Sequence, residues 1–374
     1  MARAATSVRR FSMKRRTLLK AAPAAGFIAA TPLALRAQSA VDSTSNWRAF
    51  EVVTRLEITE PTGQVEAWVP LPLMQKTPWF ETLSNDIGGN AEQAKVAVDS
   101  VYGAGMVHAR FRKGEPQPVV EVTSRFKTRD RFVSMQPVTG SPAAPPQELT
   151  LYLKPTDLMP TDGIVKETAL KITKGQGTDV EKAHAIYDWV VESTERNPKT
   201  RGCGVGDIKA MLETGTLNGK CADLNALFVA LARASGVPAR DVYGIRVAAS
   251  PRGYKSMGRA GDITKAQHCR AEFYAQGIGW VPVDPADVRK VILEEAPGLT
   301  LADDRVKQAR TMLWGGWEGN WLAYNTGHDI RLPGSSRAPV PFLMYPQAEN
   351  AHGRLDSLDP ETFKYRITSK EITT

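Results

Sequence analysis

Cysteine is scarce, with only Cys203, Cys221 and Cys269 in 374 residues. So few cannot make a disulfide-built scaffold, and an odd number leaves at least one thiol unpaired within a monomer. Histidine is nearly as rare, with five, and no Cys/His spacing fits a zinc site. No acidic cluster has the form of a calcium loop, and no internal repeat is evident. Beyond the N-terminus, no apolar run reaches the ~18 residues of a membrane-spanning helix. What the chain does have is 42% hydrophobic residues, enough for a sizeable core and, by length, for two or three domains.

The net charge of +8 suggests a nucleic-acid or membrane partner, but its distribution argues otherwise. Eight of the 48 basic residues and none of the 40 acidic ones fall in the first 40 positions, so the remainder balances at 40 of each. No nucleic-acid partner is expected. The basic residues lead into an Ala-rich apolar run from Ala21 to Leu35, and Arg15-Arg16 resembles the arginine pair of a twin-arginine (Tat) export signal. Residues 1–37 are therefore expected to be a signal peptide, cleaved after Ala37 and carrying the protein to a bacterial periplasm. The alternative, an uncleaved anchor, has to accommodate Pro23 and Pro32 in a run too short to span. The Tat machinery is then the expected partner during export, and no stable membrane insertion is expected afterwards.

Residues 44–135 read as a small β domain. Phe50, Val52, Leu56 and Ile58 alternate with Glu51, Arg55 and Glu57, and strand-like runs recur at Val96–Tyr102, Met106–Arg112 and Val119–Phe126. The Pro-rich stretch within 136–162 reads as a linker. The period then becomes helical. Thr178, with Glu181 three residues on, is a capping box for a helix bearing Val180, Ala183, Tyr187 and Val190 on one stripe. A second helix is expected from Cys221 to Ser235, ended by Gly236 and Pro238. Strands follow at Asp241–Val247, Gln267–Ala275 and Trp280–Asp284, with a final one around Phe363, Tyr365 and Ile367.

A nucleophilic thiol must be ionised near neutrality, and a helix N-terminus favours the anion. Cys221 is expected there, where free backbone N–H groups could also receive an oxyanion. A general base and a group fixing its tautomer are also needed. His268 and Asp284 lie on consecutive strands joined by the Gly277-Ile278-Gly279 turn, which can bring them together. Strand alternation puts Cys269 on the opposite face from His268, and so, it is expected, away from Cys221. The bridge compatible with a reduced Cys221 would join Cys203 to Cys269, although folding in a reducing cytoplasm favours free thiols. His184 reads as packing or solvent-facing, and His108, His328 and His352 have no evident partner. Arg246 is a candidate for an acidic substrate group or, more simply, a paired sheet arginine. Trp314, Trp317, Trp321 and Tyr324 suit a groove or, more simply, core packing.

The blocks "GKCADLNALFVALARASGVPARDVYGIRV", "QHCRAEFY" and "GWVPVDPAD" resemble the transglutaminase core in the order Cys, His, Asp, over about 163–291. The segments "RGCGVGDIKAML" and "NWLAYNTGHDIRLPGS" extend the resemblance to bacterial exported transglutaminase-like proteins. It implies an α+β protein with a β-sandwich-like N-terminal domain (44–135). A papain-like core of helices on an antiparallel sheet (163–298) and a C-terminal β-containing extension packed on that core (299–374) would follow. It implies catalysis by Cys221, His268 and Asp284 on a protein or peptide-like substrate, with no cofactor or metal. Hydrolysis of envelope proteins or peptidoglycan, or a silent binding module on the same fold, are the competing readings.

Overall fold

The computed structural model describes residues 46–138, 144–358 and 360–373. The expected signal, with Arg15-Arg16 and the Ala37 cleavage site, lies outside the described residues. No helix among the described residues is long and apolar enough to cross a membrane.

Alternation builds the first half of the chain. In β1 (Arg48–Glu57) Phe50, Val52 and Leu56 are buried while Arg55 is exposed, as a half-buried strand requires. It is followed by β2 (Glu66–Pro70), β3 (Phe80–Gly89), β4 (Gln93–Val98), β5 (Gly105–Arg110), β6 (Val119–Thr128) and the short β7 (Arg131–Phe132). β6 alternates along its whole length and pairs with β1 on one side and β3 on the other.

The expected linker carries a helix, α1 (Pro146–Leu151), followed by α2 (Gly163–Ile172) and α3 (Asp179–Ser193). The Thr178–Glu181 capping box starts α3 as its sequence predicts. Next come β8 (Glu195–Arg196), α4 (Ile208–Thr214), β9 (Asn218–Gly219) and α5 (Cys221–Ala234). Every residue of α5 is buried, its apolar side chains by packing and its Asp223, Asn225 and Arg233 by hydrogen bonding to backbone groups around it. It packs on a four-stranded antiparallel sheet. The strands involved are β10 (Ala239–Arg246), β12 (Gln267–Ala275), β13 (Gly279–Val283) and β15 (Trp321–Asn325), in the order β13-β12-β10-β15. The two-residue β11 (Gly261–Asp262) and β14 (Gly316–Trp317) and the helices α6 (Pro285–Glu294) and α7 (Asp304–Met312) complete this region. The mixed α+β architecture agrees with the sequence reading.

The C-terminal segment does more than pack on the core. Of β16 (Gln347–Asn350), β17 (Gly353–Arg354) and β18 (Tyr365–Ile372), β16 pairs with β2, and β18 pairs with β1 over eight residues. Two five-stranded sheets result, β11-β18-β1-β6-β3 and β17-β16-β2-β5-β4. Phe50, Val52, Val122 and Phe126 from the first share one apolar core with Val69 and Val107 from the second. That core is continuous with Cys203, Cys221 and Cys269, so the sandwich directly supports the thiols.

Candidate active site

Cys221 is the first residue of α5, and Asp223 shapes the chain's entry into that helix. Its carboxylate accepts hydrogen bonds from the N–H groups of Lys220 (2.9 Å), Val205 (3.0 Å) and Gly206 (2.9 Å). Burial pushes its pKa up, while these backbone donors pull it down. Gly204, at φ +96, and Gly219 approach this carboxylate so closely that a Cβ on either would collide with it. The Cys203 carbonyl accepts from Ala222 N–H at 2.9 Å, and the Lys220 carbonyl accepts from Asp223 and Leu224. Among the described residues, Cys221 N–H has no acceptor.

His268 stands on β12 and Asp284 caps α6, accepting from Asp287 N–H at 3.1 Å. His268 Nε2 meets Asp284 Oδ2 at 2.7 Å, which leaves Nδ1 for the thiol. Asn225, one helical turn after Cys221, joins the elements. Its Nδ2 donates to Asp284 Oδ1 (3.1 Å) and to the Cys269 carbonyl (2.8 Å), and its Oδ1 accepts from Ala286 N–H (3.2 Å). Trp321 Nε1 donates to the His268 carbonyl at 3.1 Å. The structure thus brings together Cys221, His268 and Asp284, all buried.

Burial opposes ionisation of Cys221. Hydrogen bonds from Cys203, Cys269 and His268, with the His268 charge, nevertheless hold its thiol well below the ordinary value. Burial also opposes the His268 cation, but Asp287 and Asp284 raise its pKa above the usual imidazole range. Both shifts favour a thiolate–imidazolium pair. Burial and Asp287 push Asp284 up from the carboxylate range, with His268 and Arg270 pulling the other way. Donor atoms of His268, Asp284 and Asp287 all lie within 4.8 Å of one another, close enough to cradle a cation. However, Arg246 is bonded to Asp287 and Arg270 stands 3.9 Å from Asp284. Two guanidiniums already occupy the positive side of this network.

Cys269 does not lie away from Cys221 as expected. The alternation holds. Ala271 and Phe273 pack with α5, while Arg270 stacks on Trp321 on the other face. However, β13 ends opposite Ala271, so Gln267–Arg270 form an open edge where the α5 N-terminus meets side chains from both faces. Cys269 and His268 therefore both reach Cys221. All three cysteines are free and buried. Cys203 bonds the Gln267 carbonyl at 3.2 Å.

The remaining candidates resolve to packing. Arg246 is the paired arginine. Trp317, Trp321 and Tyr324 are buried, and Trp79 rests 5.7 Å from Trp317. Trp314 stacks on Phe273. His184 is an exposed partner of Asp188 at 3.3 Å. Two histidines without an evident partner in the sequence have one: His108 meets Glu66 at 2.6 Å, and His328 meets Asp241 at 3.3 Å. The sequence reading does not single out Asp223, Asn225 or Asp287, whose only local signal is nearness to the cysteine and the aspartate. They lie two and four residues after the cysteine and three after the aspartate. A pocket of about 300 Å³ opens on Cys221 and His268, lined also by Arg196, Lys220, Lys265, Gln267 and Tyr345.

Comparison with known proteins bears on the same segment. The Transglut_core pattern of the Transglutaminase-like superfamily matches residues 166–285, which include Cys221, His268 and Asp284. An uncharacterized protein of Haemophilus influenzae is 38% identical over 326 residues, covering 83% of this chain and 87% of that one. A solved structure from Cytophaga hutchinsonii, described provisionally as a cysteine protease, is similar over 88% of this chain and 92% of its own. The TM-score is 0.55 and the identity 14%, a likeness of fold.

Proposed function

Because the chain belongs to the transglutaminase-like superfamily, we propose that it is an exported thiol enzyme acting on an amide or peptide bond through a thioester on Cys221. The observation that carries this reading is the convergence of three groups, two of which, Cys221 and His268, line one pocket. The Cys221 thiol lies within hydrogen-bonding reach of His268, and His268 is held by Asp284 at 2.7 Å.

In the reaction, Cys221 Sγ attacks the carbonyl carbon and the developing oxyanion takes a hydrogen bond from the free Cys221 N–H. His268, charged and oriented through Nε2 by Asp284, delivers a proton from Nδ1 to the departing amine. The neutral imidazole then removes a proton from the water or amine that resolves the thioester. The same groups serve hydrolysis and transfer, and the acceptor distinguishes them. A silent binding module would need neither a depressed thiol pKa nor an oriented base, so the assembled site favours an enzyme.

The test is intact mass spectrometry of the mature protein with peptide amides, with and without a primary amine. An acyl adduct on Cys221, consumed by water or amine, is the expected result. Turnover retained in Cys221→Ala would sink the reading. For export, Arg15-Arg16→Lys-Lys is expected to hold the precursor in the cytoplasm, and undiminished export would refute the Tat assignment.

A further inference from the structure

Asp287 and Arg246 make only part of the pairing open to them. Arg246 Nη2 donates to Asp287 Oδ2, and Nη1 donates to the Met257 carbonyl at 3.0 Å. Both side chains are buried, and an arginine and a carboxylate are frequently matched by two parallel bonds. Here Arg246 Nε and Asp287 Oδ1 each lack a hydrogen-bond partner among the described residues. Leaving two buried polar atoms unmatched costs stability, so the one-sided pairing calls for a reason. Asp287 Oδ1 lies instead 3.5 Å from His268 Nε2, the same nitrogen that meets Asp284 at 2.7 Å.

Both carboxylates come from one short stretch. Asp284 caps α6 and Asp287 stands three residues on, in its first turn, a spacing that makes them neighbours. Asp287 N–H bonds Asp284 Oδ1 at 3.1 Å, and Asn225 Nδ2 bonds the same oxygen. Asp284 is thereby fixed in orientation. Asp287 is fixed in charge: burial opposes its ionisation, but Arg246, His268 and Lys290 hold its pKa below the usual carboxylate range. Asp284 shifts the other way, because burial and Asp287 raise it. The titratable groups around the two carboxylates are Arg246 on β10, His268 and Arg270 on β12, Tyr187 on α3 and Lys290 on α6. Cys221 on α5 meets the imidazole.

We infer that Asp287 is a positioning residue of the thiol reaction: with Asp284 it forms a two-carboxylate seat for His268, in which Asp284 fixes the ring and Asp287 supplies the negative charge that keeps it protonated while Cys221 is a thiolate. This rests on the thiol-enzyme reading above and adds a fourth residue to its three groups. Arg246 holds Asp287 in place and offsets part of its charge at the ring. The ion pair therefore sets how firmly His268 keeps its proton.

The experiment follows alkylation of Cys221 by iodoacetamide against pH in the mature protein, with peptide mapping to separate Cys221 from Cys203 and Cys269. The rate rises as the thiolate–imidazolium pair forms and changes again where the imidazolium loses its proton, and both inflections belong to the pair. Asp287→Asn keeps the side chain's size and the backbone bond to Asp284. It is expected to lower the upper inflection by about one pH unit or more. Arg246→Gln breaks the same ion pair and is expected to raise that inflection, because the guanidinium opposes the imidazolium. A pair that mattered only for folding would act alike when broken from either side. Shifts of one sign, or an upper inflection unmoved in Asp287→Asn, would overturn the role. Should Asp287→Asn fail to fold, an unmoved or lowered inflection in Arg246→Gln would overturn it equally. If Cys221 of the parent ionises only in the ordinary thiol range, the thiol-enzyme reading fails and the seat with it. A parent with both inflections and variants that leave them in place fails the seat alone.

Discussion

Two buried histidine–aspartate pairs belong to the same four-stranded region, and they differ in what surrounds them. His268 and Asp284 meet at 2.7 Å, and Asp284 also accepts from Asn225 and Asp287 N–H. His328 and Asp241 are 3.3 Å apart, with Tyr243 Oη 3.3 Å from the other ring nitrogen, and neither Asp241 oxygen has a hydrogen-bond partner. The first pair faces a thiol and a pocket of about 300 Å³. His328 borders a cavity of about 10 Å³, room for one water at most. Burial lowers the pKa of His328 despite Asp241, whereas two carboxylates reverse that effect at His268. A base–carboxylate pair thus becomes a candidate for catalysis through its satisfied geometry, its nucleophile and its access, and not through residue types alone.

The comparison breaks most completely at the nucleophile. Cys221→Ala is expected to lower turnover by at least about 10⁴-fold with little change in Tm, and His268→Ala by a similar factor, read as kcat/KM on any amide the enzyme accepts. Asp284→Asn should cost less, about 10²–10⁴-fold. It should also move the pH profile. The thiolate–imidazolium pair exists between the lowered Cys221 pKa and the raised His268 pKa, so removing a negative charge beside His268 draws the alkaline limb to lower pH. An unmoved limb would mean that Asp284 does not govern the imidazole.

The second pair sharpens the contrast through stability. A histidine whose folded pKa is lowered binds its proton more readily in the unfolded chain, so its contribution is present above about pH 6.5 and lost as pH falls. His268 has the opposite sign, stabilising at low pH and losing that contribution as pH rises through its raised folded value. His328→Gln is therefore expected to change activity by about twofold or less, as for a site outside the network. Its Tm should fall less than the parent's between pH 7.5 and pH 5. The smallest effect concerns sulfur. Unfolded, unreduced protein should titrate as three thiols, in line with the three free cysteines, and a titre of one would reinstate a bridge.

The α+β class was legible in the sequence, and so were the local elements that carry the candidate site. Cys221, His268 and Asp284 were legible because a helix start, a strand and a second strand end announce themselves locally, and β12 runs from Gln267 to Ala275 as its pattern predicts. The polar clamp was less visible. Asp223 resembles an ordinary third-position cap, and Asn225 is unremarkable until the helix turns it toward Asp284. Cys269 was misjudged because alternation fixes a face but not where a sheet ends. β3 was missed since "FETLSNDIGG" has the composition of a loop, and pairing with β6 makes it a strand. Pairing between β1 and β18 lies beyond any local signal.

That last pairing has a kinetic consequence. Ala49 meets Ile372 and Leu56 meets Tyr365, so the first described strand waits for the last before its sheet is complete. Tyr365, Pro360 and Leu358 also line the pocket at Cys221. A chain emerging from the ribosome can form α5 and its neighbours early, but contacts of such sequence separation come late and slowly. The thiol pocket closes only after β18 has been made, so loss of β18 should leave both sandwich and pocket unfinished while the helical core remains able to form.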